Sequence, residues 1–410
     1  MKKTLVVAGG GAAGFFCALT ASRLNPQLRV ILVEKTGKLL SKVKVSGGGR
    51  CNVTHACFSI PDMIKKYPRG AQFVKKTFHQ FFTTDTIQWF EERGVQLKTE
   101  DDGRMFPVSN NSQTIIDCLM QEVGRCGVEI RIHHEIKSIE AAENSAFKLR
   151  FSNEWELEAD FICIACGGYP KSLMFDWIKQ TGHTIEEPVP SLFTFNMPGN
   201  SITKLMGVSV PEAAVKVVGT SLKESGPLLI THWGMSGPAV LKLSAWGARL
   251  LNKKNYRFDV SVNWLPEYHE QSLRERFQMI RQESGAKKIL HKNPLNLPQR
   301  LWEWLLQQSG IGDIHWADLP APLQNKLIQN LCNQLFSIDG KTTFKEEFVT
   351  AGGIRLAGIN PNTMESRVMP RLFFAGEVMD IDGVTGGFNF QHAWTSGFIA
   401  GKSIAVYGGL

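Results

Sequence analysis

The apolar positions open with a short continuous run, Thr4-Leu-Val-Val-Ala8, broken by Gly9-Gly-Gly11 and followed by a stretch of small and apolar residues reaching Leu24. A short apolar run bounded by glycines predicts a buried strand, and the stretch after it a helix. A second run, Arg29-Val-Ile-Leu-Val33, ends in Glu34, and a third, Asp160-Phe-Ile-Cys-Ile-Ala165, has the same character. From about Ser191 to Trp264 short or alternating apolar runs separated by turns predict antiparallel strands, Pro227 to Thr231 among them. The period then changes. Gln271 to Gln282, Leu297 to Gln308 and Pro322 to Phe336 carry Leu, Trp and Ile at three- and four-residue spacings, which predicts helices. Near Phe344 the first kind of pattern returns, with a strand at Leu372 to Ala375 and a helix at Phe388 to Ala400.

The opening strand, glycine turn and helix form the context in which a dinucleotide fingerprint has physical meaning. Gly9 permits the tight turn, Gly11 lets backbone approach a pyrophosphate, and Gly14 lets the helix pack closely on the strand. The amides of Ala12 and Ala13 then point toward the phosphates from the helix start. Glu34 stands where an acceptor for ribose hydroxyls belongs, and an acid there disfavours a 2′-phosphate. FAD and NAD both satisfy this segment.

At 410 residues the chain exceeds one hydrophobic core and predicts two or three units. Its 43% hydrophobic and 20% charged residues are ordinary for a globular protein. Met1-Lys2-Lys3 and the run behind them imitate a signal peptide, but the glycines interrupt it and no cleavage pattern follows. No apolar run approaches the roughly 20 residues of a membrane span. Eight cysteines are too sparse for a disulfide framework and match no zinc spacing, so a reducing cytoplasm is the expected location and no metal is expected. The net charge of +8 hints at a polyanionic partner. Basic residues gather with aromatics at Lys65-Lys66-Tyr67-Pro-Arg69 with Lys75-Lys76, and at Lys287-Lys288, His291-Lys292 and Arg300 beside Trp302 and Trp304. Such patches either engage RNA or are solvated faces over helical core.

Four further motifs follow in order: Ser46-Gly47-Gly-Gly-Arg50-Cys51-Asn52-Val-Thr54; Asp102-Gly-Arg104-Met-Phe106-Pro107; Gly226 to Pro238 with Thr231-His232-Trp-Gly; and Gly376-Glu377 running through Asp382-Gly383 to Gly386-Gly387-Phe388-Asn389. With the fingerprint, these make the chain resemble, over nearly its whole length, the BaiN-like (YhiN-like, aminoacetone-oxidase-like) family of FAD-dependent NAD(P)H oxidoreductases. The resemblance implies an α/β fold with a discontinuous Rossmann-like FAD-binding domain of glutathione-reductase type, residues 1–190 and 345–410. A β-rich substrate domain, 191–265, and a small helical domain, 266–344, are inserted. The cofactor contacts it implies extend the fingerprint (Gly9, Gly11, Ala12, Ala13, Gly14, Glu34) to Lys35, Lys42, Ser46, Gly47, Arg50, Cys51, Asn52, Ala165, Gly167, Gly376, Glu377, Asp382, Gly386, Gly387, Phe388 and Asn389. After Gly167 the run of small residues is shortened, so the resemblance carries no contact past it.

Two spacings are decoys. Cys163 and Cys166 copy a redox pair, yet they end a strand, where residues three apart point to opposite faces. Cys51 and Cys57 are separated by five residues, and only Cys51 lies in the family motif. Cys51 and His232 remain as candidate proton donors, since a thiol beside a flavin and a histidine in a turn both suit proton transfer. The expected chemistry is NADH- or NADPH-driven reduction of an activated carbon–carbon double bond in a small molecule or an RNA, with the nicotinamide as a transient visitor. A ribosomal RNA dihydrouridine synthase, a small-amine oxidase using oxygen, and a non-enzymatic redox sensor are the alternatives.

Overall fold

The computed structural model describes residues 2–142, 146–343 and 349–409. The chain divides into two compact units, Met1–Ser191 with Lys345–Leu410, and Leu192–Phe344. The return expected near Phe344 falls outside the described residues.

The first unit is built on a five-stranded parallel sheet. Its order is Leu372–Phe374, Phe161–Ile164, Thr4–Ala8, Arg29–Val33, Glu129–Arg131. Parallel strands covered on both faces read as unbroken apolar runs, and Leu5, Val6, Val7, Ile31 and Leu32 are all fully buried. The helix Ala12–Leu24 follows the first strand, and the C-terminal helix Phe388–Gly409 packs along it. Contact is this close because glycine faces it: a Cβ on Gly397 would lie 2.4 Å from the Ala13 carbonyl oxygen. Ala13 through Ser22 are buried without a break, as expected of a helix enclosed by other elements. Three small antiparallel sheets complete this unit: Thr54–His55, Arg104–Pro107 and Leu97–Thr99; Ile136–Ala141, Phe147–Phe151 and Glu156–Ala159; and Ile185–Ser191 with Val349–Ile354.

The second unit holds a seven-stranded antiparallel sheet, ordered Gln334–Asp339, Arg257–Asn263, Ser209–Val217, Lys223–Ile230, Gly234–Ser236, Thr194–Asn196, Lys341–Thr342. Two features depart from the pattern reading. Pro238–Lys253 is a helix inside the stretch read as strands; its buried face is Ala239, Val240, Leu243, Ser244, Gly247, Ala248 and Leu251. The helix expected through Phe336 stops at Asn333, and Gln334–Asp339 becomes a strand with Phe336 and Ile338 turned inward. The helices Glu270–Ser284, Gln299–Ser309 and Ala321–Asn333 share one buried cluster with the sheet, in which Phe195, Val260 and Phe336 join Trp302, Trp316 and Leu327. Where two inserted domains are expected, the described residues therefore form one unit with one core. No described helix is long and apolar enough to cross a membrane.

Candidate functional site

The first helix begins at an N-cap, Gly11, with extended backbone, no side-chain cap and no acid in the first turn. The first amides of a helix lack intrahelical acceptors, so this end offers N–H groups and partial positive charge to an anion. Gly9 has φ +118°, and a Cβ there would meet the Ala165 carbonyl oxygen at 2.4 Å; on Gly14 it would meet the Gly9 oxygen at 2.0 Å. Those two glycines are required by packing. Gly11 is different, because an added Cβ would find nothing within 4 Å, and its side of the turn is open. At the end of the second strand, Glu34 Oε2 accepts from the Gly10 amide (2.9 Å), and Oε1 accepts from the Thr36 amide (2.8 Å) and hydroxyl (2.9 Å). These bonds fix the carboxylate while leaving acceptor capacity on Oε2, which takes only the Gly10 amide. Lys35 extends over the Tyr169 ring, 5.0 Å from its centroid.

Three distant segments meet at Glu377. Lys42 Nζ lies 2.5 Å from its Oε2, and the Thr350 amide donates to Oε1 at 2.9 Å. The Gly376 amide is already bonded to Ser396 Oγ (2.9 Å). Gly167, beyond the strand ending near Ala165, has φ +75° and open space where a side chain would be. In the Ser46 segment the helical path breaks at Ser46, Gly47 and Gly48, and the Ser46 hydroxyl turns back to the Val43 carbonyl (3.1 Å). Asn52, with its amide oriented to satisfy both neighbours, donates to the Thr54 carbonyl and accepts from the Gly387 amide, each at 3.0 Å. Gly386 and Gly387 are thereby pinned ahead of the C-terminal helix, whose first residue, Phe388, stacks on His55 with ring centroids 4.7 Å apart. Asn389 bonds both backbone groups of Gly383, at 2.8 and 2.9 Å.

Several expected contacts point elsewhere. Asp382 is fully buried, gripped by the Arg69 guanidinium and by the Ser191 hydroxyl (2.8 Å); burial raises its pKa against the pull of Arg69. Arg50, expected to offer charge to a phosphate or flavin, lies 2.5 Å from Glu100 Oε1 and covers the Phe106 ring at 4.0 Å. Cys51 is 0% exposed, and burial, only partly opposed by Ser46, pushes its thiol up to about 12. A neutral thiol with no accessible surface packs beneath the segment and meets nothing that enters from outside. His232, in the second unit, is exposed at the tip of a turn closed by Thr231 and Gly234 (2.8 Å), its ring edge-on to Trp233.

All eight cysteines are free, including both decoy pairs. The aromatics of the basic patches are interior: Tyr67, Trp302 and Trp304 are buried. Lys65 pairs with Asp62 at 2.8 Å, Lys288 with Asp313, and Arg69 with Asp382. Arg69 is therefore turned inward, while Lys66, Lys75, Lys76 and Lys287 are exposed; none of the three aromatics presents an open ring.

Sequence reasoning placed Arg69 in a basic patch and did not find its bond to Asp382, nor Thr350, nor the buried network in which the Thr54 (2.6 Å) and Thr86 (3.1 Å) hydroxyls donate to Gln391 Oε1. Their partners lie far away in the chain, and no local pattern marks them.

The protein-family model described as HI0933-like protein Rossmann domain matches residues 3–403. A 3-dehydro-bile acid delta(4,6)-reductase of Clostridium scindens is 27% identical over 97% of this chain and 98% of its own. A ribosomal RNA dihydrouridine synthase of Escherichia coli is 30% identical, covering 97% of each. The solved structure of a 3-ketosteroid-delta4-(5alpha)-dehydrogenase from Rhodococcus jostii shares the fold, with a TM-score of 0.52 at 12% identity over 98% of this chain and 97% of that one. With an uncapped helix start and a fixed carboxylate at the end of the second strand in one Rossmann-like unit, and a family match across almost its whole length, the chain belongs to the HI0933-like family and is an FAD-dependent oxidoreductase.

Proposed function

We infer that this protein uses NADH or NADPH to saturate a carbon–carbon double bond conjugated to a carbonyl in a small molecule. The observation that carries the cofactor half of this reading is the open, uncapped helix start at Gly11 beside the fixed carboxylate of Glu34. The amides of Ala12 and Ala13 would bind the pyrophosphate, and Glu34 the adenosine ribose. Gly167, Lys42 with Glu377, and the Gly386-Gly387 turn would line the remainder. FAD, when bound, accepts a hydride from the nicotinamide and delivers it to the electron-poor carbon of the acceptor.

The choice of bond rests on the relatives. The bile-acid reductase and the dihydrouridine synthase act on unlike molecules, and both names describe saturating a double bond in a ring. The neighbouring carbon of the acceptor must gain a proton. Of the two candidates, His232 is exposed, whereas Cys51 has no surface to present, so His232 is the donor we favour. A small-molecule acceptor is favoured over RNA because the aromatics interleaved with the basic patches are buried.

Stopped-flow mixing of the FAD-loaded protein tests the reading. NADH or NADPH should bleach the flavin, and a conjugated enone should restore its colour faster than oxygen or a uridine-containing RNA. Faster recovery with oxygen would make it an oxidase, and faster recovery with RNA would make it an RNA modifier. His232→Ala should slow recovery with the enone while leaving bleaching unchanged.

A further inference from the structure

A cavity of about 630 Å³ opens in the first unit between the short helix Ala71–Thr77 and the chain from Leu356 to Arg367. Phe73, Leu356, Ile359 and Pro361 supply an apolar floor; Lys76 and Arg367 supply two cations. An apolar concavity of a few hundred cubic ångströms with a few polar groups is the usual form of a small-ligand site. Both cations are exposed, and neither has a carboxylate partner among the described residues. Arg367 is nonetheless placed: its amide donates to the Gly358 carbonyl (2.9 Å) and its Nε to the Ile359 carbonyl (3.3 Å). The terminal nitrogens remain for an anion. This is unlike Arg69 and Arg50, whose guanidiniums are spent on carboxylates.

The position of the cavity gives it a role. Gly70, on its wall, is so close to Ile381 that a Cβ would meet Ile381 Cγ1 at 2.5 Å, and the adjacent Arg69 grips Asp382. That segment runs directly on to Gly386 and Gly387, which in the proposed function line the FAD site. The sequence carries one dinucleotide fingerprint, assigned above to FAD, so a nicotinamide donor needs another place for its nucleotide end.

We propose that this cavity receives the adenosine end of the nicotinamide donor, its ring on the apolar floor and its 2′-phosphate on Lys76 and Arg367, and that it selects NADPH over NADH. The selection follows from charge: a 2′-phosphate adds a dianion that a planar guanidinium and an ammonium can share. The assignment rests on the nicotinamide-driven reading above.

The test uses full-length, FAD-loaded protein. In the Lys76→Ala/Arg367→Ala double variant, the Kd for NADPH from the concentration dependence of flavin bleaching should rise at least about tenfold. The limiting bleaching rate and FAD content should stay unchanged, and the Kd for NADH should move much less. The charge-preserving exchange Lys76→Arg/Arg367→Lys should retain most of the affinity. Calorimetry with 2′,5′-ADP should show binding to the wild type and none to the double variant. Bleaching by NADPH with an unaltered Kd in the double variant would defeat the cavity assignment and leave the proposed function standing. Failure of both nucleotides to bleach the wild type would defeat the nicotinamide reading, and the assignment with it.

Discussion

Cys51 sits in a left-handed conformation, φ +62°, with its thiol enclosed and its pKa pushed up to about 12 by burial. Folding holds the thiol neutral while the unfolded chain ionises near the ordinary value of 9.0. The stabilisation is therefore complete below pH 9, and it is lost as pH rises from there through about 12, where both states are ionised. Across that window the wild type should lose up to about 1.4 kcal/mol per pH unit more than Cys51→Ala. Urea denaturation of both proteins at about pH 8 and about pH 11 measures the difference; parallel losses would mean that the thiol is more accessible than its packing indicates. The motif around Cys51 was legible in the sequence, but its role was not, because burial is a property of the folded neighbourhood. Asp382 teaches the same lesson. The family resemblance implied a ligand contact there, and the residue that claims it, Arg69, lies 313 positions earlier.

At the level of elements, four of the five parallel strands were readable because burial on both faces leaves them as unbroken apolar runs, whereas the half-buried edge strand Glu129–Arg131, with Ile130 between two charges, has no such run. Helices of the second unit were readable because bulky residues repeat at helical spacing. The helix Pro238–Lys253 escaped for the opposite reason: much of its inward face is Ala, Ser and Gly, and turn-forming residues precede it. The fingerprint glycines separate two functions that sequence alone assigns together. Gly14→Ala would force a Cβ to within 2.0 Å of the Gly9 oxygen, a backbone atom that cannot swing aside. It should cost about 1–3 kcal/mol or more and weaken the fold with or without cofactor. Gly11 has empty space on that side, so Gly11→Glu should leave the thermal unfolding of cofactor-free protein within a few degrees of wild type while abolishing the yellow chromophore. Thermal scans on deflavinated samples, paired with FAD stoichiometry after reconstitution, separate the two. Stoichiometric FAD in Gly11→Glu would mean that the pyrophosphate lies elsewhere.

For the molecule as a whole, the question left by its relatives is whether the acceptor is a small ring or a polyanion. The net charge of +8 is compatible with either, since net charge speaks to association and not to the chemistry of a site. The distribution is more informative. Lys65 and Lys288 are each paired with an acid, Arg69 is turned inward onto Asp382, and Tyr67, Trp302 and Trp304 are interior, so the basic clusters offer charge without exposed aromatic rings on which bases could stack. An RNA acceptor would be held chiefly through phosphates, and its affinity would fall by orders of magnitude between about 50 and about 200 mM salt. A neutral enone has no such dependence. With flavin reduced beforehand, so that any salt effect on NADPH binding is removed, the second-order rate of recovery with a neutral enone should change less than about twofold over that salt range. RNA titrated over the same range should neither compete with the enone nor restore the flavin's colour at a comparable rate. Competition that disappears steeply with salt would place a nucleic acid at the acceptor site and overturn the small-molecule reading, while leaving the FAD-binding unit and its carrier chemistry as described.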